Sequence, residues 1–187
     1  MAPAHGPGAV PVPRHCREGV GAVGDRPYFP MFVDLSETAV LVVGAGKIAA
    51  RRVRTLLDFA GGVTVVAPRV SGELEELAAR GAVTLRRRPY QEGDLEGAGL
   101  VLAASDDPEL NARIAAACRA RGVPVNVSSD RTLCDFYFPG VARSGSVVVG
   151  VTAGGTDHKA ARRVTEDVRR MLAEEGRDPD AVSGNGK

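Results

Sequence analysis

The sequence predicts an α/β fold: a Rossmann-like parallel sheet with helices on both faces, followed by a small segment of one β-hairpin and one helix. Three observations carry this. Short runs dense in β-branched residues alternate with stretches of helical period of roughly ten to fifteen residues, the pattern of βαβ units. The first such run passes directly into a glycine turn, "GAGKIA", that opens the first helix. After Ser129 the alternation stops, and two strands precede a single amphipathic helix.

Each element has a local reason. "AVLVVG" is a strand built of β-branched and aliphatic residues, and "KIAARRVRTLLDFA" places Ile48, Val53, Leu56 and Leu57 at helical spacing. "VTVVAP" is a second buried strand, stopped by Pro68. "SGELEELAARG" starts with Ser71 as a candidate cap, carries acids in its first turn and ends at Gly81. "AVTLRRR" alternates and ends in basic residues, which suits a strand near the sheet edge. "GLVLAAS" is a fourth strand, "DPELNARIAAACRARG" a helix with Pro108 in its first turn, and "VPVNVSS" a fifth strand. Beyond them, "DFYFPGVARSGSVVVGVTAGG" reads as two strands joined near Ser144 and Gly145, and "DHKAARRVTEDVRRMLAEEG" as one helix. An isolated hairpin is marginal in water, and "SVVVGVT" is apolar almost throughout, so a second copy of the chain is the expected cover. A homodimer formed through residues 131–175 is therefore predicted.

The bulk properties narrow the function classes. Lys and Arg number 24 against 23 acids, a formal charge of +1, so no global field argues for nucleic acid. Cys16, Cys118 and Cys134 form no CxxC pair and no metal-ligand cluster, which points to a reducing cytoplasm and no bound metal. No apolar run approaches the ~20 residues of a membrane helix. Residues 1–26, rich in Pro and Gly, lack the apolar core of a signal peptide and read as a disordered extension or a start placed too early. Residues 27–130 form the expected dinucleotide-binding domain, 131–175 the dimerisation and substrate segment, and 176–187 a flexible tail.

The glycine turn has two readings at this level: a dinucleotide cradle or a plain strand-to-helix turn. Gly44 permits the tight turn, Gly46 lets the backbone approach a pyrophosphate, Ala49 allows close packing, and the helix amides offer an anion site. The acid expected at the end of strand two is replaced by "VAPRV"; Arg69 there suits either a 2′-phosphate or plain solvated surface. Ser105, Asp106 and Asp107 follow the fourth strand, near the point where strand order reverses, and an Asp cap there is compatible with lining the crevice.

Taken in order, "YFPMFVDLSETAVLVVGAGKIAARRVRTLL", "VTVVAP", "VLAASDDPELN", "VPVNVSSDRTLCDFYFPG" and "VTAGGT" resemble the N-terminal module of siroheme synthase, the precorrin-2 dehydrogenase and sirohydrochlorin ferrochelatase family. The resemblance covers about Tyr28 to Leu172. It implies NAD as cofactor, oxidation of precorrin-2 to sirohydrochlorin, and, in some members, insertion of ferrous iron. By position it implies that Lys47 and Ile48 touch the cofactor after the glycine turn and that Pro68 and Arg69 lie beside its adenosine end. Members manage without the ribose-binding acid by using the backbone at "VAP", so NAD is preferred to NADP.

The sequence also departs from the family. Ser129 stands where relatives usually carry the aspartate proposed as general base, with Asp130 next to it. A serine hydroxyl is too weak a base for a pyrrole proton near neutral pH. Asp130 is thus the expected base or substrate anchor, with chelation weak or absent; a turn aspartate is the competing reading. Asn126, Arg131, Arg143, His158 and Lys159 are the remaining candidates for substrate contact, since a ring bearing many carboxylates needs distributed basic groups. The competing functions are a bifunctional dehydrogenase and chelatase, or a non-catalytic nucleotide or tetrapyrrole binder.

Overall fold

A parallel strand covered on both faces needs an apolar side chain at nearly every position. Ala39–Val43 (β1) has that character, and its last four residues are buried. The computed structural model describes residues 28–175; the expected extension at 1–26, Cys16 and the tail at 176–187 lie outside them. The described residues form two compact units, 32–136 and 28–31 with 137–175.

The first unit contains β1, Lys47–Leu56 (α1), Gly62–Val66 (β2), Gly72–Ala79 (α2), Thr84–Arg86 (β3), Leu100–Ala103 (β4), Pro108–Arg121 (α3) and Val125–Val127 (β5). The five strands are all parallel in the order β3-β2-β1-β4-β5, with β3 at an edge as its basic alternation predicts. Strand order reverses between β1 and β4, so the crevice beyond their carboxyl ends is the place where a ligand is expected. Register fixes the two faces. Leu41 and Val43 share one face with Val66, Val101, Ala103, Val125 and Val127, against Ile114, Ala115 and Cys118 of α3. The alternate residues Val40, Val42, Val65 and Leu102 are equally buried on the opposite face.

Helix α3 is closed at both ends by its sequence. The Asp107 carboxylate accepts from the Glu109 and Leu110 amides, Pro108 occupies the first turn, and Gly122 ends the helix at φ 70°. Helix α1 departs from the expectation. Its buried side is Ala49, Ala50, Val53 and Leu56, while Ile48 is 47% exposed and the chain turns off after Leu56. Close approach to the sheet at a glycine turn selects small side chains over large ones. Ser71 occupies the capping position of α2 but makes no capping bond; its amide is held by the Ala45 carbonyl at 3.1 Å, and its hydroxyl is buried without a partner.

The second unit contains Gly140–Ser144 (β6) and Val147–Val151 (β7), an antiparallel pair, and His158–Glu175 (α4). Arg169 of α4 donates to the Val141 carbonyl from Nε at 3.0 Å and Nη2 at 2.6 Å. A Cβ at Gly140 would fall 2.2 Å from the Thr165 hydroxyl, so glycine lets α4 lie against the hairpin. Tyr28 stacks edge-on to Tyr137 at 4.4 Å, their hydroxyls 3.0 Å apart. Among the described residues no helix is long and apolar enough to cross a membrane.

Candidate functional site

Four loops leave the carboxyl edge of the five-stranded sheet side by side, after β2, β1, β4 and β5, and every first-unit candidate except Asn126 lies on them or at their helix starts. The glycine turn after β1 answers the question its two glycines pose. Gly44 has φ +105°, and a Cβ there would sit 2.3 Å from the Ala104 carbonyl oxygen, so the fold itself demands glycine. Gly46 is different. Its φ of −81° suits any residue, nothing lies within 4 Å of where its Cβ would be, and it is exposed. Nothing in the fold crowds position 46, so the backbone there is open to close approach.

Gly46 is also the N-terminal cap of α1 and brings no side-chain capping bond, and no acid stands in the first turn. The amides of the first turn have no acceptor within the helix and carry the positive end of its dipole. Lys47 and Ile48 are exposed beside them. These features fit a dinucleotide pyrophosphate: room for close approach, unsatisfied donors and no competing carboxylate.

After β2, Pro68 and Arg69 are exposed. Arg69 Nη2 lies 3.5 Å from Asp106 Oδ2, with both side chains 89% exposed. This pair joins the loops that flank the glycine turn, although at such exposure it adds little stability. Asp106 itself faces solvent. Ser105 is half-buried: its amide and hydroxyl bond Asn111 Oδ1 at 3.2 and 2.9 Å, and its carbonyl accepts from Asn111 Nδ2 at 3.0 Å. Ser105 therefore shapes the loop through Asn111.

After β5, Ser128 donates to the Ala103 carbonyl at 3.2 Å, and Ser129 accepts from Asn111 Nδ2 at 3.1 Å. Asp130 caps a 3-10 turn at Arg131–Leu133: its Oδ1 accepts from the Thr132 amide at 2.8 Å and hydroxyl at 2.7 Å. Those two bonds hold its carboxyl below the usual carboxylate range, so it stays ionised at neutral pH. Arg131 is exposed next to it. Asn126 is buried within β5 and donates to the Phe136 carbonyl at 2.8 Å, a supporting rather than a contacting position. Cys134 fastens the same loop, its sulfur accepting from the Val127 amide at 3.1 Å, and burial pushes its thiol up. It is a packed thiol and not a nucleophile.

Arg143, His158 and Lys159 belong to the second unit and are exposed there, Arg143 on β6 and the other two at the start of α4. Asp157 accepts from the Ala160 amide at 2.8 Å and so caps that helix immediately before His158. Among the described residues no three His, Cys, Asp or Glu side chains gather as a metal site. Sequence reasoning passed over Asn111, fully buried, which ties the loops after β4 and β5 together. The signal available was a polar amide four residues into an otherwise alanine-rich helix.

Comparison with known proteins agrees with this geometry. Residues 31–140 match the family described as "Putative NAD(P)-binding". The siroheme synthase of Methylococcus capsulatus (strain Bath) is 40% identical over 145 residues, 78% of this chain and 31% of that protein. The siroheme synthase of Pseudomonas entomophila is 43% identical over 137 residues, 73% of this chain and 30% of that protein. This chain thus spans about a third of the length of these relatives. Among solved structures, SirC, a precorrin-2 dehydrogenase, aligns with a TM-score of 0.65 and 26% identity, covering 77% of this chain and 70% of that one. The chain therefore belongs to the family described as putative NAD(P)-binding, and it is similar to the siroheme synthases over the part that its motifs resemble.

Proposed function

We propose that this chain is an NAD-dependent precorrin-2 dehydrogenase that oxidises precorrin-2 to sirohydrochlorin in siroheme biosynthesis. One observation carries the reading: Gly46 is an exposed, uncrowded glycine at the start of a helix with no side-chain cap and no acid in its first turn, so its amides are open to an anion. The siroheme synthase relatives and the precorrin-2 dehydrogenase neighbour supply the substrate class. NAD is preferred to NADP because Arg69, the one cation of the β2 loop next to the crevice, faces solvent and is paired with Asp106.

The residues divide the work. The first-turn amides of α1 and the open face of Gly46 hold the pyrophosphate, and Lys47, Ile48 and Pro68 border the nucleotide. When bound, the nicotinamide supplies the hydride acceptor. Asp130, ionised and exposed, anchors the substrate or accepts the proton released as the ring is oxidised. Its lowered pKa makes it a better anchor than base. Arg131, Arg143, His158 and Lys159 are the cations offered to substrate carboxylates. The second unit, whose Val147, Val164 and Met171 are 51%, 43% and 51% exposed, is proposed as the homodimer surface.

The test is a pair of titrations. NAD added to the native protein gives a calorimetric signal, and precorrin-2 with NAD gives NADH absorbance. Gly46→Ala melts within about 0.5 kcal/mol of the native protein and loses NAD affinity by about tenfold or more. A native protein silent to NAD, or a Gly46→Ala variant that binds NAD normally, would remove the basis of the reading.

A further inference from the structure

We propose that Asn111 is a positioning residue that makes the Ser129 hydroxyl an outward hydrogen-bond donor, which takes an acceptor oxygen of a bound ligand. The inference rests on the dinucleotide and precorrin-2 reading above. It begins with the orientation of the Asn111 amide. Oδ1 accepts from the Ser105 amide at 3.2 Å, and Nδ2 donates to the Ser105 carbonyl at 3.0 Å. Exchanging the two ends would set donor against donor and acceptor against acceptor, so the backbone fixes the amide. The other Oδ1 lone pair takes the Ser105 hydroxyl at 2.9 Å, and the other N–H goes to Ser129 Oγ at 3.1 Å. With the Ser105 proton on Oδ1, all four hydrogen-bonding positions of this fully buried side chain are used.

The consequence lies at Ser129. An amide nitrogen only donates, so Ser129 Oγ accepts, and the hydroxyl proton must point to some other partner. The neighbouring serines commit theirs inward: Ser128 to the Ala103 carbonyl at 3.2 Å, Ser105 to Asn111 Oδ1 or to the Asp107 carbonyl at 3.0 Å. Ser129 is exposed at the carboxyl edge of the sheet, beside Asp130, whose Oδ1 is occupied by Thr132. The loop after β5 therefore presents a donor at 129 and an acceptor at 130. A carboxamide carbonyl of the nicotinamide and a carboxylate of the substrate share the required chemistry.

The experiment uses the full chain, with NAD and ADP-ribose as nucleotide probes and precorrin-2 as substrate. Ser129→Ala should weaken the ligand that supplies the acceptor by roughly tenfold, and Ser129→Thr should recover it. If NAD loses affinity while ADP-ribose does not, the acceptor is the nicotinamide carboxamide. If both nucleotides are unchanged and the KM for precorrin-2 rises with kcat held, the acceptor is a substrate carboxylate. Asn111→Asp should reproduce the Ser129→Ala loss, because a carboxylate in place of Nδ2 draws the Ser129 proton inward, and the double variant should be no worse than either. Should Asn111→Asp not fold, Asn111→Ser, which removes the amide without adding charge, is compared with its own double variant. The assignment is overturned if Ser129→Ala changes neither nucleotide affinity nor KM by twofold, or if the two losses multiply. A native protein that binds neither nucleotide overturns the function as well; an active native protein with a silent Ser129→Ala overturns the donor alone.

Discussion

The two units solve burial differently. In the parallel sheet, β5 is buried at every residue and β1 at all but its first, because helices cover both faces. Of the hairpin strands, only Ala142 is buried, and Val147 is 51% exposed. A five-stranded sheet flanked by helices is self-sufficient, whereas a hairpin with one helix leaves apolar surface over. The difference extends to glycine. Gly44 is locked against the backbone of the β4 loop, while Gly154, also at positive φ, has nothing within 4 Å of its would-be Cβ.

The largest effect should come from testing that contrast directly. Gly44→Ala combines a positive φ with a backbone clash and should cost about 3–5 kcal/mol. Gly154→Ala meets only the φ penalty and should cost about 1 kcal/mol. Urea midpoints of the two variants measure both, and equal losses would erase the distinction between the units.

A second prediction concerns what fastens the sheet edge. Asp94 is 5% exposed and accepts from Arg86 at 2.7 Å, Arg88 at 2.8 and 2.5 Å and the Gln91 amide at 2.9 Å. The Arg88 bond, first among these, holds its carboxyl far below the usual range despite burial. Because the folded pKa is the lower one, the stabilisation is complete above about pH 4 and is lost as pH falls towards the folded value. Asp94→Asn should cost about 2 kcal/mol at pH 7 and flatten the loss of stability between about pH 4 and pH 2. Parallel acid-unfolding curves for variant and native protein would show that Asp94 is not the group responsible.

The smallest effect on the fold, and the sharpest on assembly, is expected from Val147→Asp. An exposed position tolerates the change within about 0.5 kcal/mol, yet a charge on the proposed dimer surface should reduce the mass seen by light scattering from two chains to one. A native protein already monomeric at micromolar concentration would refute that surface.

Much of this was legible in the sequence because several elements have local causes. Buried parallel strands are written as β-branched runs, α3 is bounded by Asp107, Pro108 and Gly122, and Gly44 stands where its turn needs positive φ. The buried side of α1 was not, since large residues such as Ile48 and Leu57 weigh more in a periodicity than the alanines that close packing selects. Nor was the inward turn of Ser105, or the reach of Asn111 to Ser129 across 18 positions, because no local rule relates those residues.

By itself the sequence determined the succession of strands and helices, the glycine turn and the family motifs, all of which depend on neighbours in the chain. Only the tertiary structure decided which glycine is locked by its surroundings and which is left open, and which serine takes the Asn111 amide. Those outcomes depend on atoms brought together from separate strands: the Ala104 carbonyl beside Gly44, and the Asn111 amide beside Ser129.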